Sequence, residues 1–415
     1  MFRISTNMPN DNMQYHTRRR EHMMNQVQNQ MASQSRIQNL RDAPLAAAHS
    51  TRYQSYLTRL NRFSDNIRYA QDNYRVAEGY MKQGVDMLQR IRELAIQGAH
   101  GTYSGDDMRQ MANEVDELLR EFVEIANGRN GDGTMLFSGK KSKTVPFRVI
   151  EGNVDGAAGS VITSVDYVGD IGERQTEIAE NSYIELNFPG NQVFWAENQQ
   201  IYSSVDSDGY TVPQDGTIYI DDVPIELNAG DNIFSIISKI NDSPAAVRAR
   251  LDPVQNSLIL ETTSPHQLWV RDGADSSVMQ DLGIIGNADA SPPGNIAPTA
   301  TVFGGSLFDS VIALRDALYQ GDSLDVGGGA LQGIDSALDN LLSNLGRLGA
   351  KDSRLEHAYL RTEFEIPQIG KLNSNETDID MAQAITNLRM LEYTHRAALA
   401  TAARVIQPTL LDFLR

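Results

Sequence analysis

The chain has no cysteine among its 415 residues, which removes disulfides, thiolate nucleophiles and cysteine-bound zinc together and leaves the redox compartment open. Histidine is scarce as well. His16, His22, His49, His100, His266, His357 and His395 never reach the paired spacing that puts two ligands on one helix face, and no Gly-Xaa-Ser-Xaa-Gly elbow accompanies them. No run approaches the roughly 20 apolar residues that a membrane-crossing helix needs. The opening Met1, Phe2, Arg3, Ile4, Ser5, Thr6, Asn7 lacks a basic patch followed by an apolar stretch, so neither a membrane anchor nor a general secretion leader is expected. Positive charge is missing from one region: residues 151–300 hold 23 acidic and 5 basic side chains, whereas the other 265 residues carry 31 of each sign. That segment accounts for the whole net charge of -18. Such a surface repels phosphates, which argues against nucleic-acid binding and reads as a solvated, solubility-promoting face.

What is present is enough apolar residue for real cores, 40% of the chain, and a strong helical period. Spacings of three and four alternate through Tyr53, Tyr56, Leu60, Phe63, Ile67, Ala70, Tyr74, Ala77, Met81, Gly84, Leu88, Ile91 and Ala95, a heptad seam about 65 Å long at 1.5 Å per residue. Gly98 and Gly101 mark its end. Ser104, with Asp107 three residues on, caps a second helix bearing Met108, Met111, Val115, Leu118, Phe122 and Ile125. A matching grid of Leu331, Ile334, Leu338, Leu341, Leu345, Leu348, Leu355, Tyr359, Ile366 and Ile369, interrupted by Asp352 and Thr362, predicts a partner helix from the other end of the chain. The outermost stripes are weaker: Met13, Thr17, Arg20, Met24, Val27, Met31 at one end, and Ile385, Leu388, Glu392, His395, Leu399, Ala402, Ile406 at the other. Helices with such stripes need a partner to bury them. Thr409 to Leu414 is too apolar for a free tail.

Residues 140–300 change character, with Gly, Pro, Asp and Asn punctuating short β-branched runs. Thr217–Ile220 and Pro224–Leu227 read as a hairpin, 231–241 as a short helix, and Val247–Leu251 and Ser257–Glu261 as strands. Pro292, Pro293, Gly294 to Pro298 reads as a return linker. Asn127 to Gly133 lacks the ligand spacing and closing glutamate of a calcium loop and reads as a turn. Gly327–Gly329 lacks the Lys-Ser or Lys-Thr pair of a phosphate loop and reads as a helix breaker.

The fold class expected is mainly α with an α+β insert: a long antiparallel coiled-coil rod of N- and C-terminal segments, with a β-rich outer domain between them. The expected boundaries are 1–50 and 378–415 for terminal assembly helices, 51–147 and 303–377 for the rod, and 148–302 for the insert, which is expected to sit outside the rod on linkers.

Several motifs carry a resemblance. Arg3 to Met8, Asp42 with Pro44 to Ala48, Gly133 to Gly139 followed by Pro146 and Phe147, Tyr167 to Asp170, Asn187 to Gly190, Ala382 to Leu388 and Leu410 to Leu414 resemble the hook-associated protein 3 family of the flagellin superfamily. Residues 216–285 resemble the insertion module found in flagellins and hook-associated proteins, through Gly216, Gly230, Asp231, Asn232, Ile233, Lys239, Ile240 and Asn241. Three positions depart: Gln34 stands where the family usually has glycine, Leu40 where it often has proline, and Ala43 where a second aspartate is usual. Loss of a left-handed cap and a helix breaker predicts a helix extended through this region.

The resemblance implies a non-enzymatic structural adaptor of the bacterial flagellum, joining hook to filament, exported through the flagellar secretion channel and needing no cofactor. The implied partners are hook-associated protein 1, flagellin, further copies of itself in a ring, and an export chaperone at the C-terminal region. Interface candidates are Ile4, Met24, Val27, Met31, Leu399, Ile406, Leu410, Leu411, Phe413 and Leu414. The alternatives are a filament-forming flagellin and an enzyme with its site in the acidic insert.

Overall fold

The structure, a computed structural model, describes residues 8–39, 41 and 43–405. Its elements run α1 (Met8–Ser33), α2 (Pro44–Ala99), α3 (Gly105–Ala126), β1 (Phe147–Asn153), β2 (Ser160–Tyr167), β3 (Gln175–Ala179), β4 (Ser182–Glu185), α4 (Gly190–Val193), β5 (Gln200–Tyr202), β6 (Gly216–Ile220), β7 (Val223–Leu227) and α5 (Ile233–Asp242). They continue with β8 (Val247–Leu251), β9 (Leu258–Thr262), β10 (Val270–Asp272), α6 (Val278–Asp281), β11 (Thr301–Phe303), α7 (Leu307–Gln320), α8 (Ser323–Asp325), a π-type turn Val326–Ala330, α9 (Leu331–Thr377) and α10 (Met381–Val405). The class is mainly α with a β-rich middle, as the periodicities predict. Every heptad position of α2 from Leu60 to Ala95 is buried.

Contacts divide the chain into two units, Met1–Asp65 with Tyr359–Arg415, and Asn66–Ala358. In the first, α2 and α9 run antiparallel, with Ser50 Oγ donating to Asn373 Oδ1 at 2.8 Å and Tyr56 OH to Glu365 Oε2 at 3.0 Å. Helix α9 passes through Pro367 without ending. Helix α1 is not extended as the loss of glycine and proline predicts. It stops at Ser33 because Gln34 itself takes the left-handed position, φ 54°. The following strand-like step is then held by two backbone bonds, Arg36 N to Thr377 O at 2.7 Å and Ile379 N to Gln34 O at 3.2 Å. Pro44 opens α2, where a missing N–H costs nothing; Asp380 caps α10 by accepting from Ala382 N and Gln383 N.

In the second unit α2 and α9 are again antiparallel, with Arg92 Nε 2.5 Å from Asp335 Oδ1, and Leu341 Cδ2 would stand 3.3 Å from a Cβ added at Gly84. Helix α3 starts at the expected Ser104–Asp107 capping box, whose hydrogen bonds hold the Asp107 carboxyl below its usual range. The three glycines before α9 do break helical geometry, at Gly328. Asp352, the polar interruption of the seam, is half-buried with Oδ1 unpaired, and burial raises its carboxyl above the usual range.

The segment 147–195 is not an outer body on linkers. Hairpin β1–β2 packs on α3 and α7, and Phe194 packs on Phe137 at 4.9 Å and on Phe122 at 5.9 Å between ring centroids, while Phe147 meets Phe308 at 5.0 Å. Beneath them lies Arg315, wholly buried on α7, donating to Asp116 Oδ1 of α3 at 2.7 Å and to the Ile162 carbonyl of β2 at 2.6 Å. These residues interlock because each aromatic completes the core of the other segment.

Residues 200–303 do have a core of their own, built from Ile218, Ile220, Ile236, Ile240, Leu258, Leu260 and their neighbours. The sheets are ordered β10-β6-β7 and β11-β5-β9-β8. Asp221 and Asp222 make a two-residue turn with φ 51° and 62°, placing β7 one residue earlier than expected. Entry and exit strands pair, Gln200 opposite Phe303.

Two outcomes follow from this division. Joining Gln199 to Gly304 in place of residues 200–303 should preserve cooperative thermal melting followed by circular dichroism, whereas deleting 148–302 should abolish it by removing aromatics from the helical core. Arg315→Ala should destabilise the protein by about 3–5 kcal/mol in urea titration, since Asp116 and the Ile162 carbonyl lose a buried partner.

Candidate assembly surface

The surface singled out by the sequence lies on α1 and α10. They are antiparallel neighbours: Ser35 bridges Asp378, Arg20 Nη1 donates to Thr394 O at 3.2 Å, and Met13, Thr17, Ala398 and Thr401 line one groove. All six of the α1 stripe residues, Met13 to Met31, are half-buried, so that stripe is the face turned to α10.

On α10 the outcome is different. At 100° per residue, Ala384, Leu388, Leu391, His395 and Ala398 share one face, and all five are buried or half-buried. The stripe read from the sequence is split: Leu388, Glu392 and His395 are half-buried, whereas Ile385 is 40% exposed and Leu399 47%. Met381, Met390 at 59% and Tyr393 at 76% add exposed apolar surface that the heptad reading did not include. The heptad grid therefore straddles the packed face and the open one. Of the interface candidates, Met24, Val27, Met31 and Leu399 are therefore described; Ile4, Ile406, Leu410, Leu411, Phe413 and Leu414 lie outside the described residues.

In the acidic insert His266 is buried and Asp272 half-buried, each among hydrogen-bond partners. His266 is buried with Nδ1 2.8 Å from Ser264 O and Nε2 3.0 Å from Asp221 Oδ2, so both ring nitrogens are engaged. Burial raises the Asp272 carboxyl above its usual range, yet its oxygens accept from Met279 N and Gln280 N at the start of α6. Among the described residues no group of three or more His, Asp or Glu is placed to hold a metal, and no helix is long and apolar enough to cross a membrane.

Residues 4–142 match the family of the bacterial flagellin N-terminal helical region. Flagellin FlaB1 of Treponema pallidum is 36% identical over 124 residues, 30% of this chain and 43% of that protein. Flagellar hook-associated protein 3 of Escherichia coli is 27% identical over 137 residues, 33% of this chain and 43% of that protein. The chain thus aligns with less than half the length of either relative. Among solved structures, flagellar hook-associated protein 3 of Legionella pneumophila superposes with a TM-score of 0.47 at 20% identity, covering 78% of this chain and 97% of that one. The family match is confined to residues 4–142, and over that region the chain is similar to the N-terminal helical region of flagellins.

Proposed function

We propose that the protein is a non-enzymatic structural adaptor of the bacterial flagellum that joins the hook to the filament. The observation that carries this reading is the pairing of α1 and α10 through small and half-buried residues, which leaves Met381, Ile385, Met390, Tyr393 and Leu399 in water. A helix pair of this kind gains most of its burial from other molecules. The relation to hook-associated protein 3 supplies the place in the flagellum, and the sequence motifs from Arg3 to Leu414 extend that relation beyond the aligned third. On this reading the terminal segments 1–50 and 378–415 are the assembly elements, with Ile4, Met24, Val27, Met31, Leu399, Ile406, Leu410, Leu411, Phe413 and Leu414 at interfaces. The partners are hook-associated protein 1, flagellin, further copies in a ring, and an export chaperone before assembly; export uses the flagellar secretion channel.

A filament-forming flagellin is the second reading, favoured by the 36% identity to FlaB1. Deleting the gene separates the two in electron micrographs. The adaptor reading expects bare hooks, with flagellin released unassembled; a strain that keeps long filaments would contradict it.

The surface itself is tested by Ile385→Ser with Leu399→Ser. Each large side chain moved from water to an interface contributes on the order of 1.5–3 kcal/mol, so the pair costs several kcal/mol per subunit. Cells with the double variant should fail to build filaments, while the melting temperature of the purified monomer stays within a few degrees of the parent. Loss of monomer stability with normal filaments would mean that this face is internal.

A further inference from the structure

The turn that follows α3 contains two Asn-Gly pairs three residues apart, Asn127-Gly128 and Asn130-Gly131, and the chain has no others. A glycine after asparagine puts no Cβ beside its amide nitrogen, so that nitrogen can reach the preceding carboxamide carbon. The two pairs share this chemistry and differ in their surroundings.

Asn127 is locked. Its Nδ2 donates to the Phe147 carbonyl at 3.0 Å and its Oδ1 accepts from Phe147 N at 2.9 Å, which pins the carboxamide to the start of β1. Gly128 N donates to the Ile125 carbonyl at 2.9 Å, and Gly128 is buried beside the Tyr80 ring, which an added Cβ would meet at 3.0 Å. Attack on Asn127 would have to break all three bonds. At Asn130 the nitrogen is already in place. Gly131 N donates to Asn130 Oδ1 at 2.7 Å, so it lies against the carboxamide itself and not against a backbone carbonyl. Gly131 is exposed, and nothing stands within 4 Å of where its Cβ would be, so water reaches this side of the pair. The carboxamide makes one further bond, from Nδ2 to Asn73 Oδ1 of α2.

We propose that Asn130 is a site of spontaneous deamidation, with water as the co-reactant, and that the fold shields Asn127 from the same reaction. Gly131 N gives its proton to hydroxide and bonds to Asn130 Cγ. The Cγ–Nδ2 bond breaks, and Nδ2 takes up a proton from water and leaves as ammonia. Water then opens the cyclic imide, at Cγ to give an aspartyl residue or at the backbone carbonyl carbon to give an isoaspartyl one. Either product has lost the Nδ2–H that faces Asn73 Oδ1 and gained a negative charge. The isoaspartyl product also adds a methylene to the backbone of a turn closed by Asn130 N to Thr134 O at 2.8 Å and Gly133 N to Asn130 O at 2.9 Å. The proposal does not depend on the assembly reading.

Incubation of the purified full-length protein in mildly alkaline buffer, followed by tryptic digestion and mass spectrometry, tests it. Cleavage after Arg129 puts the two asparagines in different peptides, residues 121–129 and 130–140. In the folded protein the 130–140 peptide should gain the mass of an amide exchanged for an acid and split into two products on chromatography. Its rate should exceed that of the 121–129 peptide at least about tenfold, because a small misplacement of a reacting atom costs at least that much. In urea, which frees both pairs, the two peptides should convert at similar rates. Gly131 has open space around it and no left-handed φ, so Gly131→Ala should fold. It should slow conversion of the 130–140 peptide about tenfold by crowding the attacking nitrogen and leave the 121–129 peptide unchanged. Three results would overturn the proposal: Asn130 intact in the folded protein while it converts in urea, equal conversion of both asparagines in the folded protein, or the same difference between them in urea.

Discussion

From Leu60 to Ala95, every third or fourth side chain of α2 is removed from water, and the placement of the other elements follows from what covers that stripe. Helix α9 covers part of it, antiparallel. Gly84 is buried opposite Leu341 and Phe122 because a Cβ there would press on both at 3.3 Å. Tyr74, on the same stripe, sends its hydroxyl to the Glu185 carbonyl at 2.5 Å and packs its ring on Phe188 at 5.2 Å; burial raises its phenol well above the usual value. A seam that reaches past its helical partner to claim residues 185–188 ties the β-rich middle to the helices. Arg315 does the same from the other side, bridging α3, α7 and β2 with one buried guanidinium.

Local signals were the legible part. The α2 and α9 grids, the Ser104–Asp107 box, the hairpin turn at Asp221–Asp222 and the α1 stripe all rest on interactions between residues close in sequence, where spacing and turn chemistry decide the outcome. The unreadable parts depend on partners far away in the chain. Arg315 shares its helix with Asp309 and Asp316, so its charge alone gives no signal of burial, and its partner Asp116 is 199 residues away. The fusion of 147–195 with the helical core rests on Phe147, Tyr167 and Phe194 meeting Phe122, Phe137 and Phe308, and nothing in a short aromatic run tells which core it joins. At Gln34 the sequence misled: a missing glycine predicted a continuous helix, whereas the bonds to Thr377 and Ile379 hold a non-glycine residue in the left-handed region.

The assembly surface was half legible for a physical reason. Large apolar residues announce burial, but not whose surface buries them. On α1 the stripe faces α10; on α10 Leu388 and Leu391 are half-buried beside Ala384 and Ala398, while Met390, Tyr393 and Leu399 stay open. Stability of the single chain is therefore concentrated in α2, α3, α7 and α9 with the aromatic cluster, and the terminal pair is held by few buried contacts. The proposed assembly role fits this distribution, because terminal helices that buried themselves fully would have no surface left to share.

The most direct measurement is oxidative footprinting of methionines by mass spectrometry, on purified protein and on isolated hook–filament preparations. Met23, Met381 and Met390 are open in the single chain, whereas Met81 and Met279 are buried in it and serve as internal references. Rapid oxidation of the first three in free protein and protection in the assembled flagellum is the expected result. Equal oxidation of those three in both states would contradict the claim that the terminal helices are buried by assembly.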